Sequence, residues 1–385
     1  MSTLKAVCMQ IPSWPQSGER EAELLRMVLE SPQWGGFHPF VAEFERSFAE
    51  YQHSPFGISA FNGTVTLELA LSVLGIGVGD EVIVPAISFI STATAVVRAG
   101  ALPVFVDIEE RSFNIDPERV REAITPRTRA IIVVHFGGAM ANVGALCQMC
   151  VENGLYLIED AAHAHGSEWN YRRAGSFGIA GSFSFQNGKV LSSGEGGMLV
   201  TSDEVFAEKA RSIANCGRTP GRGFYQHDRL GTNFRLTALQ AAVLLAQFER
   251  LNEQIETRTA NAHLLRGLLS DTEEVAWQAE PGEITRNSFY LLLGRLSRGT
   301  RARDEFCSRL AAAGVPCTPF YPHTLYQNPV FREASCRISP CPVSEACIRD
   351  AFWLPHRVLL ADEQTIYEIA TLIRAIFGAH PMMVR

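Results

Sequence analysis

From about Phe56 onward, short apolar runs alternate with segments whose apolar residues recur every three or four positions. Apolar runs bounded by turn residues read as buried strands, and the three-to-four spacing reads as helices packed against them. The pattern predicts strands at Glu81–Pro85, Pro103–Asp107, Ala130–His135 and Leu155–Asp160, and a helix at Thr64–Leu74 that opens after Asn62-Gly63. Two more strands, Gly181–Phe185 and Gly197–Thr201, are separated only by a short loop, which suits an antiparallel or reversed strand at the edge of the domain. Strands alternating with helices in this way predict an α/β architecture, a mostly parallel sheet covered on both faces.

Beyond Leu236 the helical spacing runs on to about Gly267, through Ala238, Leu239, Ala242, Leu245, Phe248, Leu251 and Ile255. One long amphipathic helix is the expectation there, leading into a smaller α+β domain. That domain has strands at Ser288–Leu296 and Pro316–Tyr321, a helix at Thr300–Ala313 and a closing helix at Asp362–Phe377. Before Phe56 the sequence predicts a helix at Phe40–Tyr51 and a Gly/Pro-rich turn at Ser31–Pro39. The resulting division is a segment 1–55, packed on the small domain or across a subunit boundary, a large domain 56–247, and a linking helix with the small domain at 248–385.

Composition narrows the class. The 385 residues are 46% hydrophobic and 19% charged, the balance of a globular enzyme with room for two cores. The net charge of −7, without a Lys/Arg-rich run, argues against a nucleic-acid or anionic-membrane partner. Apolar stretches are interrupted well short of membrane-spanning length, and Met1–Gln10 lacks a signal-peptide core, so a cytoplasmic enzyme is expected. The nine cysteines are scattered. Cys147 and Cys150 form a C-x-x-C inside the helical segment Val143–Asn153 with no second pair at zinc spacing, so reduced, partly buried thiols are expected and no metal.

The chemistry concentrates around two residues. Lys189 follows Ser184-Phe185-Gln186-Asn187-Gly188, and Asp160 closes the run Leu155-Tyr156-Leu157-Ile158-Glu159-Asp160. A lysine on a loop after one strand and a carboxylate at the end of another are the two anchors of a pyridoxal phosphate enzyme. The amine holds the cofactor as a Schiff base, and the carboxylate keeps the pyridine nitrogen protonated so that the ring accepts electrons. Asn62-Gly63-Thr64 opens a helix, where free N–H groups, a close-approaching glycine and a hydroxyl suit a phosphate; an ordinary N-cap would look the same. Ser184 offers a second hydroxyl. Phe89, just past a strand end, has a ring that would stack on a pyridine. In Asp160-Ala161-Ala162-His163-Ala164-His165-Gly166, Ala162 leaves space for a flat ring, His163 would reach a phenolic oxygen, and His165 reads as structural.

These segments, with Pro85-Ala86-Ile87-Ser88-Phe89, Gly194-Glu195-Gly196-Gly197 and Gly231-Thr232-Asn233-Phe234-Arg235-Leu236, resemble the DegT/DnrJ/EryC1/StrS sugar aminotransferases over nearly the whole chain. The resemblance implies the aspartate-aminotransferase fold (fold type I, a large mixed-sheet domain plus a smaller α+β domain). It implies that Lys189 bonds the cofactor, Asp160 binds the ring nitrogen, Gly63, Thr64 and Ser184 hold the phosphate, and Phe89 stacks on the ring. It also implies a homodimer with shared sites, in which Asn233 reaches the neighbour's phosphate. Asn62 stands where that family usually has Ser, Gln186-Asn187-Gly188 where His-Pro-x is frequent, and Thr232 where Tyr or Phe is common. The wording Phe-Gln-Asn-Gly-Lys is most similar to the branch holding 3-amino-5-hydroxybenzoate synthase and cyclitol aminotransferases.

The expected reaction moves an amino group from L-glutamate or L-glutamine to a keto-sugar, nucleotide-linked or free, or to a keto-cyclitol. Lys189, its pKa lowered by burial, would shuttle the proton. Candidate substrate residues are Trp34, Tyr321, His323 and, as a carboxylate clamp, Arg357; Phe224-Tyr225-Gln226-His227 is a further candidate wall. Two other readings keep the cofactor: dehydration and aromatisation of an aminoshikimate-like ring, and a non-catalytic sensor. A sugar 3-dehydratase is disfavoured because that related group carries His where Lys189 stands.

Overall fold

The computed structural model describes residues 9–378 apart from Pro220, Phe224 and Arg298. The strands of its first half are β1 (Phe56–Ala60), β2 (Glu81–Pro85), β3 (Leu102–Val106), β4 (Thr128–Val134), β5 (Tyr156–Asp160), the short β6 (Glu168–Trp169) and β7 (Arg172–Arg173), β8 (Ala180–Ser184) and β9 (Gly197–Thr201). After them come β10 (Val275–Trp277), β11 (Ile284–Arg286), β12 (Leu291–Leu296), β13 (Thr318–Pro319), β14 (Arg337–Ile338) and β15 (Ala351–Pro355).

The large sheet runs β1-β9-β8-β5-β4-β2-β3-β14. Strands β8, β5, β4, β2, β3 and β14 are parallel neighbours, and β9 lies antiparallel to both β8 and β1. Side chains on both faces are buried, which is why β2 and β4 read as continuous apolar runs without alternation. Helices α1 (Glu19–Glu30), α2 (Pro39–Tyr51), α3 (Gly63–Leu74) and α4 (Ser91–Arg98) precede α5 (Pro117–Ala123), α6 (Val143–Asn153), α7 (Glu204–Ala214) and α8 (Ala238–Glu249). One core, with Leu67, Leu71, Val96 and Phe206, lies under α3, α4 and α7; a second, with Phe44, Phe48, Phe183 and Phe185, lies under α2 and α8.

A smaller antiparallel sheet, β10-β12-β15-β13, is backed by α9 (Leu251–Leu268), α10 (Thr300–Ala312) and the final helix Glu363–Phe377. Leu265, Phe306, Phe352 and Ile369 form its core. Met9 and Ile11 pack on that core, whereas α1 lies on α8 and α2 lies on α8 and β1. The N-terminal segment therefore spans both layers.

Four expectations change. The reversed strand β9 is not an edge strand, because β1 pairs with its outer side from Phe56↔Thr201 to Ala60↔Gly197. The long helix after Leu236 breaks at Arg250 (φ −101°, ψ −6°) into α8 and α9, and the Arg250 guanidinium donates to the Gln16 carbonyl at 3.3 Å, an N-terminal contact no periodicity reports. Helix α1, amphipathic and closed by a Glu21 carboxylate that accepts from the Gly18 N–H, was not among the elements expected. The expected strand Pro316–Tyr321 shrinks to β13, because only Thr318 and Pro319 find register with β15. Among the described residues no helix is long and apolar enough to cross a membrane.

Candidate active site

Sheet register assembles the site. Ser182 is level with Asp160 on β5, and Ser184 is level with Gly197 on β9, itself level with Ala60 on β1. Because β9 runs backwards between two strands of the same direction, the carboxyl ends of β1, β8 and β5 emerge along one edge. The chain leaving β1 then turns straight into α3 beside Ser184. That approach is close enough to exclude a side chain: a Cβ on Gly63 would lie 2.6 Å from the Ser184 Cβ. A Cβ on Gly197 would lie 2.4 Å from the Asn62 carbonyl carbon. Asn62 caps α3, its Oδ1 accepting from the Val65 N–H at 3.0 Å.

Asp160 is buried at the end of β5. Its Oδ2 accepts from Thr92 Oγ1 at 2.8 Å, so the 2.7 Å contact between Ser88 and Thr92 has Ser88 as donor. Burial raises the Asp160 pKa; the Thr92 hydrogen bond, the nearby Lys189 charge and the Ala162 N–H oppose it. Its neighbour Glu159 serves the scaffold. Gly175, Phe177 and Gly178 each donate a backbone N–H to it at 2.7 Å, and His135 Nε2 lies 3.0 Å from Oε2. Since His135 Nδ1 already accepts from the Ala141 N–H, Nε2 carries the proton and donates. This fixes the link from β7 to β8.

Lys189 sits on the turn after β8, with its N–H donated to the Gln186 carbonyl at 2.8 Å and its own carbonyl accepting from Trp14 Nε1 at 3.1 Å. Desolvation lowers its pKa to about 8, with the Asp160 carboxylate pulling the other way. Its amine therefore holds an accessible neutral fraction near neutral pH, as a nucleophile and proton carrier needs. His163 accepts from the Gly137 N–H through Nδ1 at 3.3 Å, which leaves the proton on Nε2, and burial holds its pKa well below the usual histidine range. His165 turns away: its Nε2 donates to the Ser184 carbonyl at 2.9 Å.

A cavity of about 550 Å³ gathers Asn62, Gly63, Thr64, Phe89, Asp160, His163, Ser184, Lys189 and Tyr321. Ser88, Gln186, Glu195 and Tyr290 line it as well, and were not singled out from the sequence for this site. Thr92 and Trp14, which touch Asp160 and Lys189, carried no local signal either. Four candidates lie outside this cavity within one chain. Asn233 is exposed and its Oδ1 accepts from the Arg235 N–H. Trp34 is exposed and donates to the Ser31 carbonyl at 3.0 Å. Arg357 donates to the Pro12 carbonyl at 3.3 Å, and His323 does not line the cavity. Tyr225 and Gln226 are exposed, and Phe224 lies outside the described residues. The C-x-x-C thiols both lie on α6, Cys150 buried and Cys147 half-buried; desolvation pushes Cys147 up to about 11 and Cys150 up to about 12, the state of packed, unreactive thiols.

A lysine amine and a buried carboxylate walling one cavity, at the carboxyl ends of a mixed sheet and beside a helix N-terminus, define a pyridoxal phosphate-dependent transferase of fold type I. The chain belongs to the DegT/DnrJ/EryC1/StrS aminotransferase family, whose model matches residues 15–373. It is 39% identical over 378 residues to the 3-amino-5-hydroxybenzoate synthase of Amycolatopsis mediterranei (strain S699), covering 94% of this chain and 96% of that one. It is also 39% identical over 391 residues to a putative L-glutamine:3-amino-2,3-dideoxy-scyllo-inosose aminotransferase of Micromonospora echinospora, covering 93% and 91%. The crystal structure of 3-amino-5-hydroxybenzoic acid synthase superposes with a TM-score of 0.92 at 38% identity, covering 96% of this chain and 99% of that one.

Proposed function

We propose that this enzyme transfers the amino group of L-glutamine or L-glutamate to the ketone of a keto-cyclitol or keto-sugar, free or nucleotide-linked, using pyridoxal 5'-phosphate. The observation that carries the reading is the convergence of the Lys189 amine, the Asp160 carboxylate and the Gly63-Thr64 helix start on one cavity. The cavity fits that cofactor: its volume admits a substituted pyridine, and the bare Gly63 backbone lets the α3 N–H groups approach an anion. Bound there, the cofactor would supply an electrophilic aldehyde and an electron-accepting ring.

The chain's own residues would do the rest. Thr64 and Ser184 hydroxyls and the first N–H groups of α3 hold the phosphate. Asp160, whose ionised form the Thr92 hydroxyl and the Ala162 N–H favour against burial, pairs with the protonated ring nitrogen. His163 donates from Nε2 to the phenolic oxygen, and Phe89 covers a ring face. Lys189 would hold the cofactor through its amine and, as a neutral amine, would accept the proton at the donor's Cα and give it back. Asn233, exposed on its own chain, suits a contact to the phosphate of a partner subunit, which makes a homodimer with two shared sites the working assembly. Of the substrate candidates, Tyr321 lines the cavity, and Trp34, His323 and Arg357 lie outside it within one chain.

The 39% identity to a 3-amino-5-hydroxybenzoate synthase favours one second reading, in which Lys189 removes a ring proton from an aminoshikimate-like substrate and drives dehydration and aromatisation. The purified protein, mixed with L-glutamine and no acceptor, separates the cases. Loss of the visible cofactor band, with release of an oxo acid and dependence on Lys189, is the expected result. A band that L-glutamine does not alter, together with ultraviolet growth of an aromatic product from an aminoshikimate-like substrate, establishes the second reading instead. No band after added pyridoxal phosphate overturns both.

A further inference from the structure

Tyr290 lies immediately before β12, far in sequence from every motif of the site, yet its ring forms part of the cavity wall. The Lys189 Nζ stands over this ring, 4.5 Å from its centroid. The ring itself is held on several sides. His163 lies 4.3 Å away, tilted by 37°, and His356 lies 6.0 Å away in a stacked arrangement. The Tyr290 carbonyl accepts from the His356 N–H at 3.1 Å, and the adjoining Leu291 is in register with Pro355 of β15. Tyr290 is thus a fixed plane set by the small sheet, and the lysine that rests on it belongs to the large one.

A lysine in this kind of site alternates between two positions, one bonded to the cofactor and one free. We infer that the face of Tyr290 is the resting platform of the released Lys189 side chain once it has taken up a proton, holding it as an ammonium within reach of the cavity until the proton is given back. Tyr290 is then a positioning residue: the negative face of the ring stabilises the charged amine that burial otherwise disfavours. This inference rests on the reading of Lys189 as the shuttling amine and adds what receives it between proton transfers. It also links the two sheets, because any shift of β12 and β15 moves the platform relative to Lys189.

The charged and titratable groups around this amine are Asp160 at the end of β5, His163 after it, the outward-turned His165, His356 after β15, and Glu195 and Tyr321 in the cavity wall. Only Asp160 stabilises the ammonium among those acting on Lys189 by charge, while the histidines are kept neutral by burial. The aromatic face is therefore a distinct contribution, separable from the carboxylate.

The test is the titration of Lys189 in the cofactor-free protein, read as the pH dependence of acetylation at that residue by mass spectrometry. Tyr290→Phe keeps the face and is expected to titrate with the wild type. Tyr290→Leu is expected to lower the apparent pKa by about one unit, a roughly tenfold loss of the ammonium form at a given pH. Should the leucine variant fail to fold, Tyr290→Met, unbranched and closer in reach, carries the same expectation. Unchanged titration in the aliphatic variants overturns the inference, as does a shift in Tyr290→Phe as large as in Tyr290→Leu, which would assign the effect to the hydroxyl. Because no cofactor is present, the expected shift in a protein that never develops a cofactor band would leave the aromatic contact to the Lys189 amine standing while removing both the proposed function and the resting role built on it.

Discussion

Thr92 and Asp160 are 68 residues apart, and the hydroxyl of the first donates to the carboxylate of the second at 2.8 Å, with Ser88 donating in turn to Thr92. The bond acts on a carboxylate whose pKa burial already raises. Replacing Thr92 by Val removes a donor without changing shape, so Asp160 moves further toward its protonated form and pairs less well with a protonated ring nitrogen. Hydrogen bonds to charged groups contribute ~1.5–3 kcal/mol, so the glutamine half-reaction of Thr92→Val is expected to slow by about tenfold or more. Stopped-flow decay of the visible band measures it, and an unchanged rate would detach Thr92 from the chemistry.

Gly63→Ala places a methyl group against the Ser184 Cβ at the same strand end. Overpacking of this kind costs about 1–3 kcal/mol, and here the only relief is to part α3 from β8. The variant is expected to melt several degrees lower and to lose most of its bound pyridoxal phosphate. Calorimetry with a phosphate-release assay for cofactor content reads both effects; full cofactor content would show that this approach does not shape the phosphate site.

Acid stability should depend on His165. Burial, then the nearby Lys189 charge, lowers its pKa to about 3, below the usual value near 6.5. Between those values the unfolded chain binds a proton that the folded chain does not, so this residue makes stability rise with pH across about pH 3 to 6.5 and contributes nothing further above it. In His165→Asn the urea midpoint is expected to vary less steeply with pH over that window. An identical slope would mean that the buried ring takes up its proton without unfolding.

Shared sites can be tested by complementation. Lys189→Ala and Asn233→Ala are each expected to be inactive or nearly so as homodimers. In a hybrid of the two, one site receives an intact Lys189 from one subunit and an intact Asn233 from the other. Refolding the variants together in equal amounts should restore about a quarter of wild-type activity, the share of intact sites in a random mixture of two-fold dimers. Failure to recover any activity would place Asn233 outside the partner's site.

The apolar runs at Glu81–Pro85 and Thr128–Val134, the cap at Asn62 and the lysine turn were legible in the sequence. Each is encoded within a few consecutive residues, by periodicity, by side-chain capping or by turn chemistry. The placing of Lys189 and Asp160 at strand ends was legible too, because a strand end announces itself locally; the register of β5 on β8 then brings both to one cavity. What the chain did not disclose lies between segments. The interior place of β9, the break at Arg250 and the return of β14 to the large sheet depend on partners tens to hundreds of residues away. Tyr290, Thr92 and Trp14 reach the site for the same reason: an aromatic or hydroxyl residue on a packed element looks like any other until register and helix packing aim it. Periodicity is a property of neighbours along the chain, whereas aim is set by the summed packing of two sheets and their helices, and only the tertiary structure decided it.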